Sequence, residues 1–202
     1  MVAKIVGVSG NLGRPSKTRA LVEAIVGQAS ARLGGRGVVF DVSELAPAFG
    51  AATEMADLGP EARSALEQII GADALVVASP VYKGSYTGLF KHLFDLIPPA
   101  DLAGKPVLLA ATGGGDRHAL VIEHQLRPLF GFFEAATLPT GIYASGRDFQ
   151  DGEPTAPALL DRVERAVDQL VLHVGGVSLP APQRLNGRGL GDAARAEISA
   201  AS

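Results

Sequence analysis

The sequence predicts an α/β fold: a doubly wound, five-stranded parallel sheet with helices on both faces. Three observations carry this. Short apolar runs alternate five times with longer stretches of helical spacing. The runs are apolar throughout, as strands covered on both faces must be. No linker divides the 202 residues, which suffice for one domain with a continuous core. With 47% hydrophobic and 19% charged residues, the chain has the composition of a packed globule and not of a disordered one.

The elements follow in order. A strand over residues 3–9 (AKIVGVS) stops at Gly10. Residues 16–33 place Leu21, Val22, Ile25 and Val26 on one helical stripe, ended by Gly34-Gly35. The second strand spans 38–42. Residues 43–59, with Pro47, Gly50 and Gly59, read as irregular. Pro60 suits the first turn of a helix over 60–70. The third strand, 73–79 (DALVVAS), precedes a helix over 86–97 that Pro98-Pro99 stops. The fourth strand is 105–111 (KPVLLAA), followed by a long helix over 117–134 containing Pro128. A fifth strand spans 137–144 and a last helix 155–174. Residues 179–202 read as a tail rich in Gly, Ala and Arg, so the domain is assigned to residues 1–178.

Right-handed crossovers leave two strand orders open, 2-1-3-4-5 and the six-strand order of dinucleotide-binding proteins. In both, a ligand sits at the carboxyl ends of the strands, near the point where the order reverses. The loops after strands one, three and four therefore hold the chemistry.

Composition excludes several classes. The chain has no cysteine, hence no disulfide, thiolate metal site or cysteine nucleophile. The first residues lack a charged segment followed by a long apolar one, and no apolar run reaches ~18 residues, so the expectation is a cytoplasmic protein without membrane contact. A net charge of −3, from 18 basic and 21 acidic residues, provides no footprint for nucleic acid. It also lacks the strong acidity of many small electron carriers. His92 and His173 have no metal-like partner spacing and are read as structural, and no metal is expected.

The first loop is Ser9-Gly10-Asn11-Leu12-Gly13-Arg14-Pro15-Ser16-Lys17-Thr18, and it opens a helix. Free N–H groups at a helix start attract an anion. Ser16 and Thr18 add hydroxyls, and Arg14 and Lys17 add positive charge, which together suit a phosphate monoester. The loop is not a Walker motif, nor G-x-G-x-x-G, although Asp41 ends strand two where a dinucleotide-binding protein would hold ribose. Gly7-Val8-Ser9-Gly10-Asn11 fails the nucleophile-elbow pattern at its last position. The alternative is an ordinary loop in which Ser16 only caps the helix. The second loop, Ser79-Pro80-Val81-Tyr82-Lys83-Gly84-Ser85-Tyr86, offers apolar surface at Val81 and Tyr82 and backbone donors near Lys83 and Gly84, as a flat heterocycle needs. The alternative is a surface turn. The third, Thr112-Gly113-Gly114-Gly115-Asp116-Arg117-His118, carries three glycines that are costly to order, which suggests close approach to something flat, or a mobile lid.

These loops resemble those of the NADPH-dependent FMN reductase family, within the flavodoxin-like superfamily. The resemblance covers roughly residues 3 to 172 and rests on 9–18, on Ser79-Pro-Val-Tyr-Lys-Gly84 with Leu89-Phe-Lys91 and Asp95-Leu96, and on Thr112-Gly-Gly-Gly115. Through 112–120 and His124-Gln-Leu-Arg-Pro-Leu129 the chain is similar to flavin reductases of two-component alkanesulfonate monooxygenase systems, above all the methanesulfonate type. The resemblance implies a flavodoxin-like sheet of order 2-1-3-4-5, an FMN site and reduction by NADH or NADPH, with reduced FMN passing to a separate oxygenase. It implies that Ser9, Asn11, Arg14, Ser16, Lys17 and Thr18 hold the phosphate and ribityl chain. Pro80, Val81, Tyr82, Lys83, Gly84, Thr112, Gly113, Gly114 and Gly115 would then hold the isoalloxazine. No catalytic side chain is expected, because the cofactor carries the chemistry. Relatives carry a tyrosine on a π-bulge of the long helix, and the matching position here is His124. They associate through that helix as dimers of dimers, so a homodimer or homotetramer is expected. Three other readings remain open: a quinone, azo or chromate reductase that retains FMN, a flavodoxin-like electron-transfer module, and, if the Tyr82 loop is a chance turn, a non-flavin phosphate-binding domain.

Overall fold

Residue parity within the strands decides the architecture. In β1 (Lys4–Ser9), β3 (Ala74–Pro80) and β4 (Pro106–Gly113), Val6, Val8, Leu75, Val77, Val107 and Leu109 are buried in one core. The intervening Ile5, Ala74, Val76, Ala78, Leu108 and Ala110 are buried in a second. A strand apolar on both parities needs cover on both faces, and the chain supplies it. On the first face lie α2 (Val42–Phe49), α3 (Pro60–Ile70), α4 (Gly88–Asp95) and α5 (Arg127–Phe132). On the second lie α1 (Lys17–Leu33) and α6 (Pro157–Val174). The computed structural model describes residues 2–175, and the expected tail at 179–202, with the domain end at 178, lies outside them.

The sheet is parallel, in the order β2-β1-β3-β4-β5, with β2 spanning Arg36–Asp41. Of the two open orders, it is the flavodoxin-like one. The single fifth strand expected over 137–144 is two pieces, β5 (Ala136–Thr137) and β6 (Ile142–Ser145), both paired with β4. Pro139, which has no N–H to give a ladder, lies in the gap.

Two further expectations are corrected. Residues 43–59 are not irregular throughout. Asp41 caps α2 by accepting from the Ser43 N–H at 3.0 Å, and Val42, Leu45 and Phe49 are buried at helical spacing. The long helix over 117–134 is three segments: a 3-10 turn at Asp116–His118, a π-turn at Ile122–Leu126, and α5. Arg127 N–H reaches back to Ile122 O. Pro128, the next residue, has no N–H to give and sits in the first turn of α5, where none is required.

Candidate functional site

The loop after β1 is shaped by its own polar groups. Ser9 Oγ donates to Asn11 Oδ1 at 2.5 Å, and Asn11 Nδ2 donates to Gly13 O at 2.9 Å. Gly10 is required by crowding, because a Cβ there would come within 2.7 Å of Phe90 Cδ2. The turn thus tucks Ser9 and Asn11 inward and leaves Gly13, Arg14 and Pro15 exposed. Ser16 caps α1, its hydroxyl accepting from the Arg19 N–H at 3.1 Å. The N–H groups of Lys17 and Thr18 lie in the first turn, where a helix offers no acceptor, and that turn carries no acidic residue. Such a helix start favours an anion.

The cations around it differ. Arg14 is paired with Glu44. Arg19 is held by Glu23 at 2.7 Å, Glu44 at 3.2 Å and the buried Asp41 at 3.3 Å. Asp41 is therefore committed to Arg19 and to capping α2, not to a ribose. Lys17 has no carboxylate partner among the described residues. Its Nζ donates to Gly146 O at 3.2 Å and stands 5.6 Å from the Phe149 ring centre. Lys17 is the cation left for an anionic ligand.

The loop after β3 closes as a tight turn. Tyr82 and Ser85 exchange backbone bonds of 2.9 and 3.1 Å across Lys83 (φ 51°) and Gly84 (φ 86°). Two successive positive φ values make a type I′ turn, for which glycine at the second position is suited. Tyr82 stands out from it, 52% exposed. This loop is tied to the next, because the Val81 N–H donates to Thr112 O at 2.8 Å.

These segments surround one broad cleft of about 1560 Å³ at the carboxyl edge of the sheet. Of the expected residues, Asn11, Arg14, Ser16, Lys17, Thr18, Pro80, Val81, Tyr82, Thr112, Gly113 and Gly114 line it. Four do not. Ser9 lies fully buried beneath the loop. Lys83 and Gly84 form the turn apex, and the Gly115 carbonyl is taken by Tyr143 Oη at 2.6 Å. The opposite wall was missed by sequence reasoning. It is built from Ala144, Ser145, Gly146 and a small hairpin, β7 (Phe149–Gln150) with β8 (Glu153–Pro154). The hairpin turns at Asp151 (φ 51°) and Gly152 (φ 90°), and an Asp-Gly pair is a legible hairpin signal.

A flavin mononucleotide fits these residues on two counts. Its phosphate would meet an acid-free helix start with an available lysine, and its ring would meet the Pro80–Tyr82 surface and Gly114, which is open towards the cleft. The cleft exceeds the ~300–1,000 Å³ usual for one small ligand, so there is room for a second nucleotide. His124 lies exposed on the π-turn and does not line the cleft. His92 and His173 bond backbone carbonyls, Phe49 O at 3.3 Å and Gln169 O at 2.8 Å.

A doubly wound 2-1-3-4-5 sheet with this cleft at its carboxyl edge defines a flavodoxin-like nucleotide-binding protein. The chain belongs to the NADPH-dependent FMN reductase family, whose model matches residues 3–150. It is 47% identical over 166 residues to the NADH-dependent FMN reductase SfnF of Pseudomonas fluorescens, covering 82% of this chain and 89% of that one. It is 46% identical to an FMN reductase (NADPH) of Pseudomonas aeruginosa, covering 87% and 94%. Among solved structures, an oxidoreductase from Corynebacterium diphtheriae superposes with a TM-score of 0.75 at 35% identity, covering 86% of this chain and 97% of that one. The apo form of an NADH:FMN oxidoreductase superposes at 0.72 and 28% identity, covering 89% and 92%. The protein is an oxidoreductase that reduces FMN with a reduced nicotinamide nucleotide.

Proposed function

We propose that FMN is a substrate of this enzyme and that reduced FMN leaves for a separate flavin-dependent monooxygenase in organosulfur (sulfonate) metabolism. The observation that carries this is the cleft: its volume of about 1560 Å³ is larger than one small ligand usually occupies, and its lining residues Leu12, Gly13, Arg14 and Tyr82 are exposed. A flavin held this way can exchange. Lys17 and the first-turn amides of α1 bind the phosphate, with Ser16 and Thr18 fixing the helix start. Pro80, Val81, Tyr82 and Thr112 to Gly114 would hold the ring. Bound FMN supplies the hydride acceptor for the reduced nicotinamide. The chain's part is to orient the two rings in the cleft, which needs no protein nucleophile. The described residues include no helix long and apolar enough to cross a membrane, and the reading places the enzyme in the cytoplasm as a homodimer or homotetramer.

The experiment is steady-state kinetics on protein freed of excess flavin by gel filtration. NAD(P)H oxidation should rise and saturate with added FMN. A full rate without added FMN, with flavin retained through gel filtration, would instead support a reductase with bound FMN acting on a quinone or azo acceptor.

A further inference from the structure

We propose that Tyr143 is the positioning residue of the ring-binding loop: its hydroxyl sets the shape of Thr112–Gly115, and so the affinity for flavin. The inference rests on the reading of the cleft as the FMN site. Tyr143 sits on β6 beside Ala111 of β4 in the strand register, two residues short of Gly113. Its ring packs against the core while its hydroxyl reaches the loop. There Oη donates to Gly115 O at 2.6 Å.

Two of the three glycines then have separate reasons, and the third supplies a backbone acceptor. A Cβ at Gly113 would overlap the Tyr143 hydroxyl and come within 3.1 Å of Cζ, so Gly113 is the space through which the phenol passes. A Cβ at Gly114 or Gly115 would meet nothing within 4 Å. Gly114 is exposed and lines the cleft, so its missing side chain serves the ligand. Gly115 gives its carbonyl to Tyr143. A run of glycine that would otherwise be costly to order is thus packed against one side chain at its first member and bonded to it at its last. Arg147 and Asp116, 2.5 Å apart, tie the same two segments further out. That pair is exposed and contributes little; Thr112 is held by Thr18 and Val81, which leaves the Tyr143 hydroxyl as the side-chain tie at the far end of the loop, Gly115. Burial, then the charge of Asp116, raises the phenol's pKa, so it remains a donor at neutral pH.

The test is a double-mutant cycle read by FMN titration. Tyr143→Phe should weaken FMN binding about three- to tenfold, the worth of one ordinary hydrogen bond. The KM for FMN should rise in step, with kcat changing less. Gly113→Ala should weaken binding at least as much. Joined to Tyr143→Phe it should weaken it less than the product of the two, because the overlapping atom is gone. Faster amide exchange at Gly114 to Asp116 in Tyr143→Phe is expected independently, and it decides the matter if Gly113→Ala does not fold. Unchanged FMN affinity and exchange in Tyr143→Phe would overturn the proposal while the FMN reading stands. Failure of the wild-type protein to bind FMN would overturn the reading itself.

Discussion

Thr18 Oγ1 and Thr112 Oγ1 lie 2.6 Å apart, both buried, joining the first turn of α1 to the end of β4 across 94 residues of sequence. The helix start and the glycine loop, the proposed phosphate and ring ends of the cleft, are thereby one unit. Thr112→Val keeps the volume but leaves the Thr18 hydroxyl buried without its partner, a cost of about 1–3 kcal/mol. The urea midpoint should fall accordingly. Thr18→Val with Thr112→Val should recover much of the loss, because two apolar groups leave no orphan. Additive losses in the double variant would show that the pair is not a specific bond.

The phosphate site offers a cleaner separation of binding from folding. Ser16→Ala with Lys17→Ala should weaken FMN binding about tenfold or more, since charge-assisted bonds contribute ~1.5–3 kcal/mol. Part of that change is structural, because Ser16 caps α1 and a lost cap costs ~1 kcal/mol. Riboflavin, without a phosphate, reports only the structural part. Calorimetry should show a large loss for FMN and a small one for riboflavin. Equal losses would place the phosphate elsewhere.

How much of this was legible depends on whether the signal was local. The strands and their loops were, because β1, β3 and β4 are apolar on both parities and end in small residues. The α2 helix was hidden by Pro47 and Gly50, yet Asp41 with Glu44 three residues on is a helix-start pattern, and Val42, Leu45 and Phe49 are spaced for one face. The Asp151-Gly152 hairpin was equally local and went unread. Tyr143 was not legible: nothing near it in sequence indicates that its hydroxyl crosses to Gly115. Nor could a pattern show that Arg14 and Arg19 are spoken for by Glu44, Asp41 and Glu23, leaving Lys17 without a carboxylate partner among the described residues. Those are facts of tertiary distance.

Acid stability should carry a trace of the π-turn. Glu123 Oε2 accepts from Arg127 Nε at 2.6 Å and Oε1 from Nη2 at 2.9 Å, while Nη1 of the same arginine donates to Leu138 O at 2.9 Å. The bonds from Arg127 hold the Glu123 carboxyl below its ordinary pKa. A depressed carboxylate contributes stability above its unfolded pKa, and the contribution is lost as pH falls through the folded value. Melting temperature should therefore drop on acidification through and below the ordinary glutamate range, and less so in Glu123→Gln. The pair is exposed, so the difference is under about 1 kcal/mol and shrinks with salt. An identical acid profile in Glu123→Gln would remove the pair from the account.

Assembly is the widest-reaching prediction. Of the apolar residues along 117–134, Val121, Ile122, Leu126, Leu129, Phe130 and Phe133 are buried within the chain itself. Leu120 and Phe132 remain, 63% and 71% exposed. Phe132 borders a hollow of about 370 Å³ whose other walls are apolar except for Lys91 and Asp95, a paired couple, and include Phe94, Ile97, Leu129 and Phe133. Exposed apolar surface of this kind marks an interface more often than chance. Light scattering should find a homodimer or homotetramer, and Phe132→Glu should shift it towards monomer at micromolar concentration. The consequence for flavin follows from one bond: Ser85 Oγ donates to Gln125 Oε1 at 3.0 Å, joining the Tyr82 loop to the π-turn beside the exposed His124. An interface that steadies the π-turn steadies that loop. Dissociated Phe132→Glu should accordingly bind FMN more weakly, although Phe132 does not line the cleft. A wild-type monomer would refute the assembly, and undiminished FMN affinity in a clean Phe132→Glu monomer would break the coupling.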